Sequence, residues 1–367
     1  MSARETPARI PVAVPGREHD VHVGPGVLDA LDGLVPWPAH AQRALLVTNA
    51  TVGGLYAERV GAALERAGLT VGRVDVPDGE WAKSPEVLTM LWHRLAAFGL
   101  GRHDVIVALG GGVVGDLAGF AAATWHRGVD WVVVPTTLLA QCDAAIGGKT
   151  GANLAEGKNL VGAFHQPIAV IADTETLTTV PPRHRVAGLG EVAKYGFIED
   201  PRVLELLEER PEAAVAGDPE LLAEVVRRGV AVKARIVAAD ERESGERALL
   251  NYGHTIGHAI EAATGYDRYL HGEAVALGMV AAARLGERLG VSASGLAERT
   301  VRLLEPLSLP TGGVHLDPAG LRELVARDKK ARGSSLRFVL CERPGHARVV
   351  GDITPADVDA AAASLSQ

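Results

Sequence analysis

Short apolar runs alternate with longer amphipathic stretches through the first half of the chain. The runs have the length and β-branched content of buried strands, and the stretches between them have the spacing of helices. Strands are predicted at residues 44–48, 71–76, 104–109, 131–134 and 169–171, and helices at residues 56–67, 85–98 and 117–124. Apolar strands that alternate with helices are typical of a mainly parallel sheet covered on both faces.

The pattern changes after Pro181 and Pro182. Long stretches rich in Ala, Leu, Glu and Arg follow, with few β-branched runs until residues 336–340. We therefore predict an α/β nucleotide-binding domain with a mainly parallel sheet over residues 1–180, and an all-α domain that binds metal and substrate over residues 181–367.

Composition narrows the classes of function. The chain has 367 residues, enough for two domains, and its 47% hydrophobic and 22% charged residues exclude a disordered chain. A net charge of −8 argues against nucleic-acid binding, so an anionic ligand must meet a local cluster of cations. No apolar run resembles a signal peptide or a membrane span, and only Cys142 and Cys341 are present. We expect a cytoplasmic enzyme with no membrane partner.

A glycine-rich segment follows the apolar strand at residues 104–109. Gly110, Gly112 and Gly115 fit a G-x-G-x-x-G spacing, and a helix is predicted directly after them. Such a turn lets backbone N–H groups and a helix N-terminus approach a phosphate. The same glycines can equally serve tight packing of strand on helix. Because the flanking strand and helix are both in place, we predict pyrophosphate binding here.

Two further segments carry polar groups. The turn that contains Asp78, Glu80 and Lys83 follows a predicted strand, where ligands of open α/β sheets collect, although such turns are common without a ligand. The second segment is spaced by glycines and, with an arginine upstream, can supply the cation cluster that the acidic chain otherwise lacks. Its members are Lys149, Lys158 and Asn159, and the arginine is Arg127.

The most informative polar pattern lies in the segment LLNYGHTIGHAIE. If the segment begins as a helix, four polar side chains fall on one face, at i, i+3, i+7 and i+10: Asn251, His254, His258 and Glu261. His271 follows in a turn that opens another apolar helix. Clustered neutral imidazoles suit a divalent metal, most often zinc, whereas two histidines at this spacing also occur by chance.

Glu191 and Lys194 lie one helical turn apart in GLGEVAKYG. Such a pair is commonly a surface ion pair of small energetic value. The neighbours are Gly, Val, Ala and Tyr rather than other charges, which favours a buried or cleft position. A carboxylate there can be the third ligand of a catalytic zinc, with one coordination position left open.

Six motifs together resemble the 3-dehydroquinate synthases among the sugar-phosphate cyclases. In chain order they are GGGVVGDLAGF, VPTTLLAQCDAAIGGKTGANLAEGKNLVGAF, GLGEVAKYG, LNYGHTIGHAIE, HGEAVALGM and DKK. The resemblance implies a homodimer that uses NAD and zinc, or cobalt, to turn 3-deoxy-D-arabino-heptulosonate 7-phosphate into 3-dehydroquinate and phosphate. It implies transient oxidation by NAD, elimination of phosphate, re-reduction, ring opening and aldol closure.

The resemblance also implies roles for single residues. The metal ligands would be Glu191, His254 and His271, whereas His258, a ligand on spacing alone, would handle substrate and protons. Asp143 matches a carboxylate near the hydroxyls of the substrate, and Arg127 matches an arginine that reaches the phosphate site of the other subunit. The matches to substrate contacts are Lys149, Lys158, Asn159, Lys194, Lys233, Arg247, Asn251 and one of Lys329 and Lys330, taken as Lys330. The matches to cofactor contacts are Asn49, Asp78, Glu80, Lys83, Gly112, Val113, Val114, Gly115, Asp116, Thr136, Thr137, Lys149, Lys158, Thr176, Leu177, Thr178 and Thr179.

Two alternatives stay open at this point. An aminodehydroquinate synthase of an antibiotic pathway would share essentially this set of residues. Cyclases whose substrates lack a carboxylate usually differ around Arg247 and Asn251, and the presence of both favours a carboxylate-bearing substrate. A metal-dependent polyol dehydrogenase would use NAD and a metal but would not need the lysines, and it would release NADH.

Overall fold

The computed structural model describes residues 7–315 and 336–366. It divides into two compact units. The first comprises Met1–Val180 together with Lys233–Arg242, and the second comprises Pro181–Val232 together with Glu243–Gln367. Lys233, which the sequence-based division assigns to the second domain, therefore lies in the first unit. The expected substrate contact Lys330 falls outside the described residues.

The first unit is built on a sheet with seven strands among the described residues. Its spatial order is β1-β2-β9-β6-β5-β3-β4, with β1 antiparallel to β2 and the other pairs parallel. The strands are β1 (Ala8–Val12), β2 (His19–Gly24), β3 (Arg43–Asn49), β4 (Thr70–Val76), β5 (Val105–Gly110), β6 (Asp130–Pro135) and β9 (Ala169–Asp173). The prediction of a mainly parallel sheet is confirmed.

Helices of the first unit alternate with these strands. They are α1 (Leu31–Leu34), α2 (Ala50–Arg66), α3 (Pro85–Phe98) and α4 (Gly112–Thr124). Helix α3 has the bounds that the sequence predicts, because Ser84 caps its first turn and Gly99, in the left-handed region, ends it. Every residue of β5 is buried, and Val105, Val107 and Leu109 pack in the apolar core of this unit.

A two-stranded hairpin lies outside the main sheet of the first unit. It consists of β7 (Lys149–Leu154) and β8 (Gly157–Phe164), which pair antiparallel. The register shifts between Ala152 and Leu154, so the hairpin contains an irregularity at Asn153. The sequence of this segment is polar and spaced by glycines, and no strand is predicted there.

The second unit is helical, as predicted. Its helices are α5 (Pro182–Ile198), α6 (Arg202–Glu209), α7 (Pro211–Ala216), α9 (His254–Ala263), α10 (His271–Arg288), α11 (Leu296–Leu304) and α12 (Pro355–Ala363), together with residues 219–232 of α8 (Pro219–Ala239). It also holds a small antiparallel sheet of β10 (Phe338–Arg343) and β11 (His346–Val350), which an all-α domain would lack. Among the described helices, none is both long enough and apolar enough to span a membrane.

Candidate active site and metal centre

The predicted cofactor residues of the first unit follow the carboxyl ends of five strands. Ligands of open parallel sheets bind at this edge, at the point where the order of strands reverses. Here that point lies between the neighbouring strands β3 and β5, because the chain leaves β3 for β4 on one side and leaves β5 for β6 on the other. Asn49 ends β3, the segment of Asp78, Glu80 and Lys83 follows β4, and residues 112–116 follow β5. Thr136 and Thr137 follow β6, and the turn Thr174–Thr179 follows β9.

The glycine turn after β5 leaves the N-terminus of α4 open. Gly111 is the N-cap residue and offers no side chain to the first N–H groups of the helix. A Cβ on Gly110 would lie 2.7 Å from Val114 Cγ2, and one on Gly112 would lie 3.3 Å from the Cβ of Ala144. The glycines therefore serve close packing, and they leave the first N–H groups of α4 without a side-chain cap; phosphate binding at this turn stays a prediction.

Lys83 connects this turn to the hairpin. Its ammonium is buried and donates hydrogen bonds to Asp116 Oδ2 in the first turns of α4 and to Asn159 Oδ1 on β8. Burial raises the pKa of Asp116, and the charge of Lys83 offsets only part of that effect. Lys83, Asp116 and Asn159 thus form one hydrogen-bonded cluster.

Lys233 and Asp143 form a second pair within the first unit. Lys233 Nζ lies 2.9 Å from Asp143 Oδ1 and donates to the Asp143 carbonyl oxygen at 2.5 Å. Asp143 belongs to a π-helical turn at residues 140–144, just before β7 begins with Lys149. The side chains of Lys149 and Lys158 are exposed on the hairpin.

Three elements of the second unit bring together a carboxylate and two imidazoles. Glu191 on α5 is fully buried, with 0% of its side chain exposed, and Lys194 has 1% exposed. Glu191 Oε1 lies 3.3 Å from His254 Nε2 at the start of α9 and 3.3 Å from His271 Nε2 at the start of α10. The alternative that Glu191 and Lys194 form an ion pair on the surface is wrong, since both side chains are in the interior.

Each imidazole is oriented by a partner on its other nitrogen. His254 Nδ1 lies 3.2 Å from the Tyr252 carbonyl oxygen, and His271 Nδ1 lies 3.1 Å from Glu261 Oε2. A carbonyl oxygen and a carboxylate can only accept, so Nδ1 of each ring carries a hydrogen and Nε2 is the nitrogen that faces Glu191. The sequence predicts Glu261 on the same helix face as the histidines, but the contact between Glu261 and His271 was not predicted.

The charges of the cluster favour a cation at its centre. Both oxygens of Glu191 are buried and accept no well-aligned hydrogen bond, although Lys194 Nζ lies 2.5 Å from Oε2. Burial opposes ionisation of Glu191, but the charges of Lys194 and His254 outweigh it and hold its pKa well below the usual value. Burial likewise opposes charge on His271, yet Glu191 and Glu261 raise its pKa to about 10. A buried, ionised Glu191 that draws a proton onto His271 creates a demand for positive charge, which a divalent metal ion bound by Glu191 and neutral imidazoles would meet.

His258 lies beside the three groups but differs from them. Its ring is 5.3 Å from that of His254 and 5.7 Å from that of His271, centroid to centroid, and its side chain is exposed. Although the ring borders solvent, desolvation by the surrounding protein atoms and the two neighbouring imidazoles lower the pKa of His258 to about 3. One ring nitrogen from each of His254, His258 and His271 lies within 4.8 Å of the other two. His258 is therefore close enough to contact a ligand bound beside His254 and His271.

Glycines allow the three helices to converge. A Cβ on Gly272 would lie 1.8 Å from the Ala187 carbonyl oxygen, and one on Gly190 would lie 2.3 Å from the Gly272 carbonyl oxygen. A Cβ on Gly278 would lie 1.9 Å from the Gly253 carbonyl oxygen. The backbones of α5, α10 and the start of α9 are therefore in direct contact, which places Glu191, His254 and His271 within reach of one another.

The expected helix over the histidine segment begins later than the sequence suggested. Helix α9 begins at His254, because Gly253 has a φ of 80° and separates it from a 3-10 turn at Glu246–Asn251. Asn251 therefore lies in the turn, where its side chain donates to Glu243 Oε1 at 2.7 Å, and Arg247 in the same turn is buried.

Models of the 3-dehydroquinate synthase N-terminal and C-terminal regions match residues 73–187 and 188–331. A 3-dehydroquinate synthase of Halorhodospira halophila is 50% identical over 339 residues, which is 92% of this chain and 94% of the relative. A 2-epi-5-epi-valiolone synthase of Streptomyces hygroscopicus, solved with NAD+ and Zn2+ bound, has a TM-score of 0.86 at 30% identity over 95% of this chain and 96% of its own. A 2-deoxy-scyllo-inosose synthase, solved with carbaglucose-6-phosphate, NAD+ and Co2+, has a TM-score of 0.87 at 27% identity, covering 98% and 99%.

Proposed function

Because the chain belongs to the 3-dehydroquinate synthase family, we propose that it converts 3-deoxy-D-arabino-heptulosonate 7-phosphate into 3-dehydroquinate and inorganic phosphate. This reaction belongs to the shikimate pathway of aromatic amino acid biosynthesis. The observation that supports it most directly is the position of Glu191 Oε1, 3.3 Å from the Nε2 atoms of both His254 and His271. Three such ligands leave an open coordination position for a substrate oxygen.

The cofactors are NAD and a divalent metal, zinc or cobalt. We assign the metal to Glu191, His254 and His271, and NAD to the edge where β3, β4, β5, β6 and β9 end. NAD supplies hydride transfer, which no side chain performs, and the metal supplies Lewis-acid polarisation of substrate oxygens.

The side chains of the protein would bind and orient the substrate. Lys149, Lys158 and Asn159 on the hairpin, and Lys194, Arg247 and Asn251 in the second unit, supply the cations and donors that a phosphate and a carboxylate require. Lys233 holds Asp143 in place through its two contacts. His258, whose ring lies beside those of His254 and His271, would handle a proton of the substrate. Fixed substrate ends allow the successive steps to occur in one geometry.

Phosphate release tests this function. Purified protein with NAD and zinc is expected to release phosphate from 3-deoxy-D-arabino-heptulosonate 7-phosphate and to accumulate no NADH. The amino analogue of this substrate, assayed in parallel, distinguishes an aminodehydroquinate synthase by a higher kcat/KM. Steady accumulation of NADH with a simple polyol and no release of phosphate would instead indicate a polyol dehydrogenase.

We also propose that the protein acts as a homodimer to which Arg127 contributes in trans. Arg127 has a left-handed φ of 66° and borders a cavity of about 580 Å³ beside the hairpin. On strand β8, Leu160 and Phe164 share one face and are 59% and 37% exposed, and Val161 on the other face is 40% exposed; exposed apolar side chains gathered in this way commonly mark an interface. The apolar surface and the neighbouring arginine together support a subunit contact at this face.

Mixed dimers test the role of Arg127. Arg127→Ala and His271→Ala are each expected to be inactive, because the first lacks the arginine and the second lacks a metal ligand. When the two variants are dissociated and reassociated in equal amounts, activity should return to roughly a quarter of wild type, since half of the dimers are mixed and each has one complete site. Mixed dimers that form but stay inactive would rule out a contribution across the interface.

The protein is further proposed to work in the cytoplasm. Cys142 and Cys341 are both buried and not disulfide-bonded, as expected for a reducing compartment. Fractionation of the producing cells would test this, and recovery of the enzyme outside the cytoplasmic fraction would contradict it.

A further inference from the structure

The hairpin of β7 and β8 contains a bulge that carries two of the proposed substrate contacts. Ala152 pairs with Val161, and Leu154 pairs with Gly157. Between these pairs, Asn153 alone faces residues 158–160 of the opposite strand. A bulge of this kind interrupts the ladder and re-aims side chains, and it is frequent next to active sites. Here it presents Lys158 and Asn159.

Asn153 uses both ends of its side chain and its backbone to join this bulge to the turn after β4. Its Oδ1 accepts a hydrogen bond from the Asn159 backbone N–H at 2.9 Å, and its Nδ2 donates to Glu80 Oε1 at 2.8 Å. Its own backbone N–H donates to the Lys83 carbonyl oxygen at 2.8 Å. A donor and an acceptor are both required, and an asparagine side chain supplies both.

The contacts close into a ring through Lys83. Asn159 Oδ1 accepts from Lys83 Nζ, which also donates to Asp116 at the glycine turn. Asn159 has a φ of 56°, in the left-handed region that non-glycine residues adopt at a cost of about 1 kcal/mol. The bond from its N–H to Asn153 is what holds it there. The geometry of Asn159 therefore depends on Asn153 on one side and on Lys83 on the other.

We propose that Asn153 is a positioning residue that sets the substrate contact Asn159 and the cofactor turn of Glu80 and Lys83 in one geometry. The inference rests on the proposed function, because it takes this turn as part of the NAD site and the bulge as part of the substrate site. Asn153 itself touches neither ligand. Its loss weakens the binding of both, since each site depends on the same ring of hydrogen bonds.

Four variants and a control test the proposal. Asn153→Asp keeps the acceptor for Asn159 but places a carboxylate oxygen against Glu80, and Asn153→Ala removes both contacts. Glu80→Gln alone measures the cost of changing Glu80. The double variant Asn153→Asp/Glu80→Gln reverses donor and acceptor and restores the bond. Glu156→Gln removes an exposed carboxylate from the same hairpin and serves as the matched control.

The measurements are the dissociation constant of NAD+ by calorimetry, the KM for the heptulosonate phosphate and the melting temperature. Asn153→Asp and Asn153→Ala are expected to raise both the dissociation constant and the KM by about tenfold or more, as loss of a hydrogen bond to a charged group does. The melting temperature should change little, because this hydrogen bond lies at a partly exposed position. The double variant should return to within about threefold of Glu80→Gln, and Glu156→Gln should match wild type.

Two results would overturn the inference. One is wild-type affinity for NAD+ in both Asn153 variants. The other is a double variant no better than Asn153→Asp, which would mean that the asparagine supports the hairpin without acting through Glu80. Absence of phosphate release by the wild-type enzyme would instead refute the proposed function, and calorimetry with NAD+ would still decide the role of Asn153.

Discussion

Replacing His271 by alanine is expected to remove the bound metal and to abolish turnover. The Nε2 atom of His271 is one of the three proposed ligand atoms and lies 3.3 Å from another, Glu191 Oε1. A metal held by two protein ligands instead of three should dissociate at least about a hundredfold more readily, since loss of only an outer partner costs 10–100-fold. Metal content by elemental analysis and phosphate release measure the two effects.

Two further variants make the assignment of ligands specific. Glu261→Gln keeps an acceptor for His271 Nδ1 but removes its charge, so zinc affinity should fall by about 10-fold to 100-fold while metal at saturating zinc is retained. His258→Ala should keep its zinc and lose turnover, because His258 is assigned to proton handling. Loss of zinc from His258→Ala with full zinc in His271→Ala would contradict the ligand set.

The sequence predicted the five parallel strands β3, β4, β5, β6 and β9 but missed β1, β2 and the hairpin strands β7 and β8. Strand β5 is apolar at nearly every position because both its faces are covered, and such a run is recognisable. Strand β8 is exposed along most of its length, so its residues show no alternation of apolar and polar positions. Strand β1 contains Pro11 and lies at the edge of the sheet, where proline is tolerated. Strand β1 alternates in burial, but its proline obscures the pattern, whereas β8 has no buried face to reveal it.

The types of residue in the candidate site could be predicted, but their connections could not. Spacing along one helix grouped His254 with His258, whereas Glu191, His254 and His271 lie on three separate helices. The pairing of Lys233 with Asp143 joins residues 90 positions apart, and no local pattern encodes such a contact. The one available signal was the placement of glycine next to Glu191 and His271, which the sequence analysis did not use.

Replacing Gly272 by alanine is expected to destabilise the second unit and to remove the metal. The new Cβ would lie 1.8 Å from the Ala187 carbonyl oxygen and 2.6 Å from its carbon, and these are backbone atoms that no change of rotamer can move. Helix α10 must therefore shift away from α5, and His271 at its first position moves with it. Overpacking of this kind costs about 1–3 kcal/mol of unfolding free energy, and the ligand atoms need only separate slightly to lose the metal.

The control is the same substitution where a helix has room for it. A Cβ on Gly61 of α2 would meet nothing within 4 Å, so Gly61→Ala should stabilise the protein by about 0.5–1 kcal/mol through helix propensity alone. Gly278 lies on α10 two turns after His271, and a Cβ there would lie 1.9 Å from the Gly253 carbonyl oxygen. Gly278→Ala therefore tests the close contact of α10 with the start of α9. Denaturation curves and zinc content are measured for all three. If Gly272→Ala binds zinc and unfolds as wild type does, the close approach of α5 and α10 is not what assembles the ligands. A loss of zinc in Gly272→Ala and Gly278→Ala, with Gly61→Ala unaffected, would mean that glycine contacts between helices position the metal ligands.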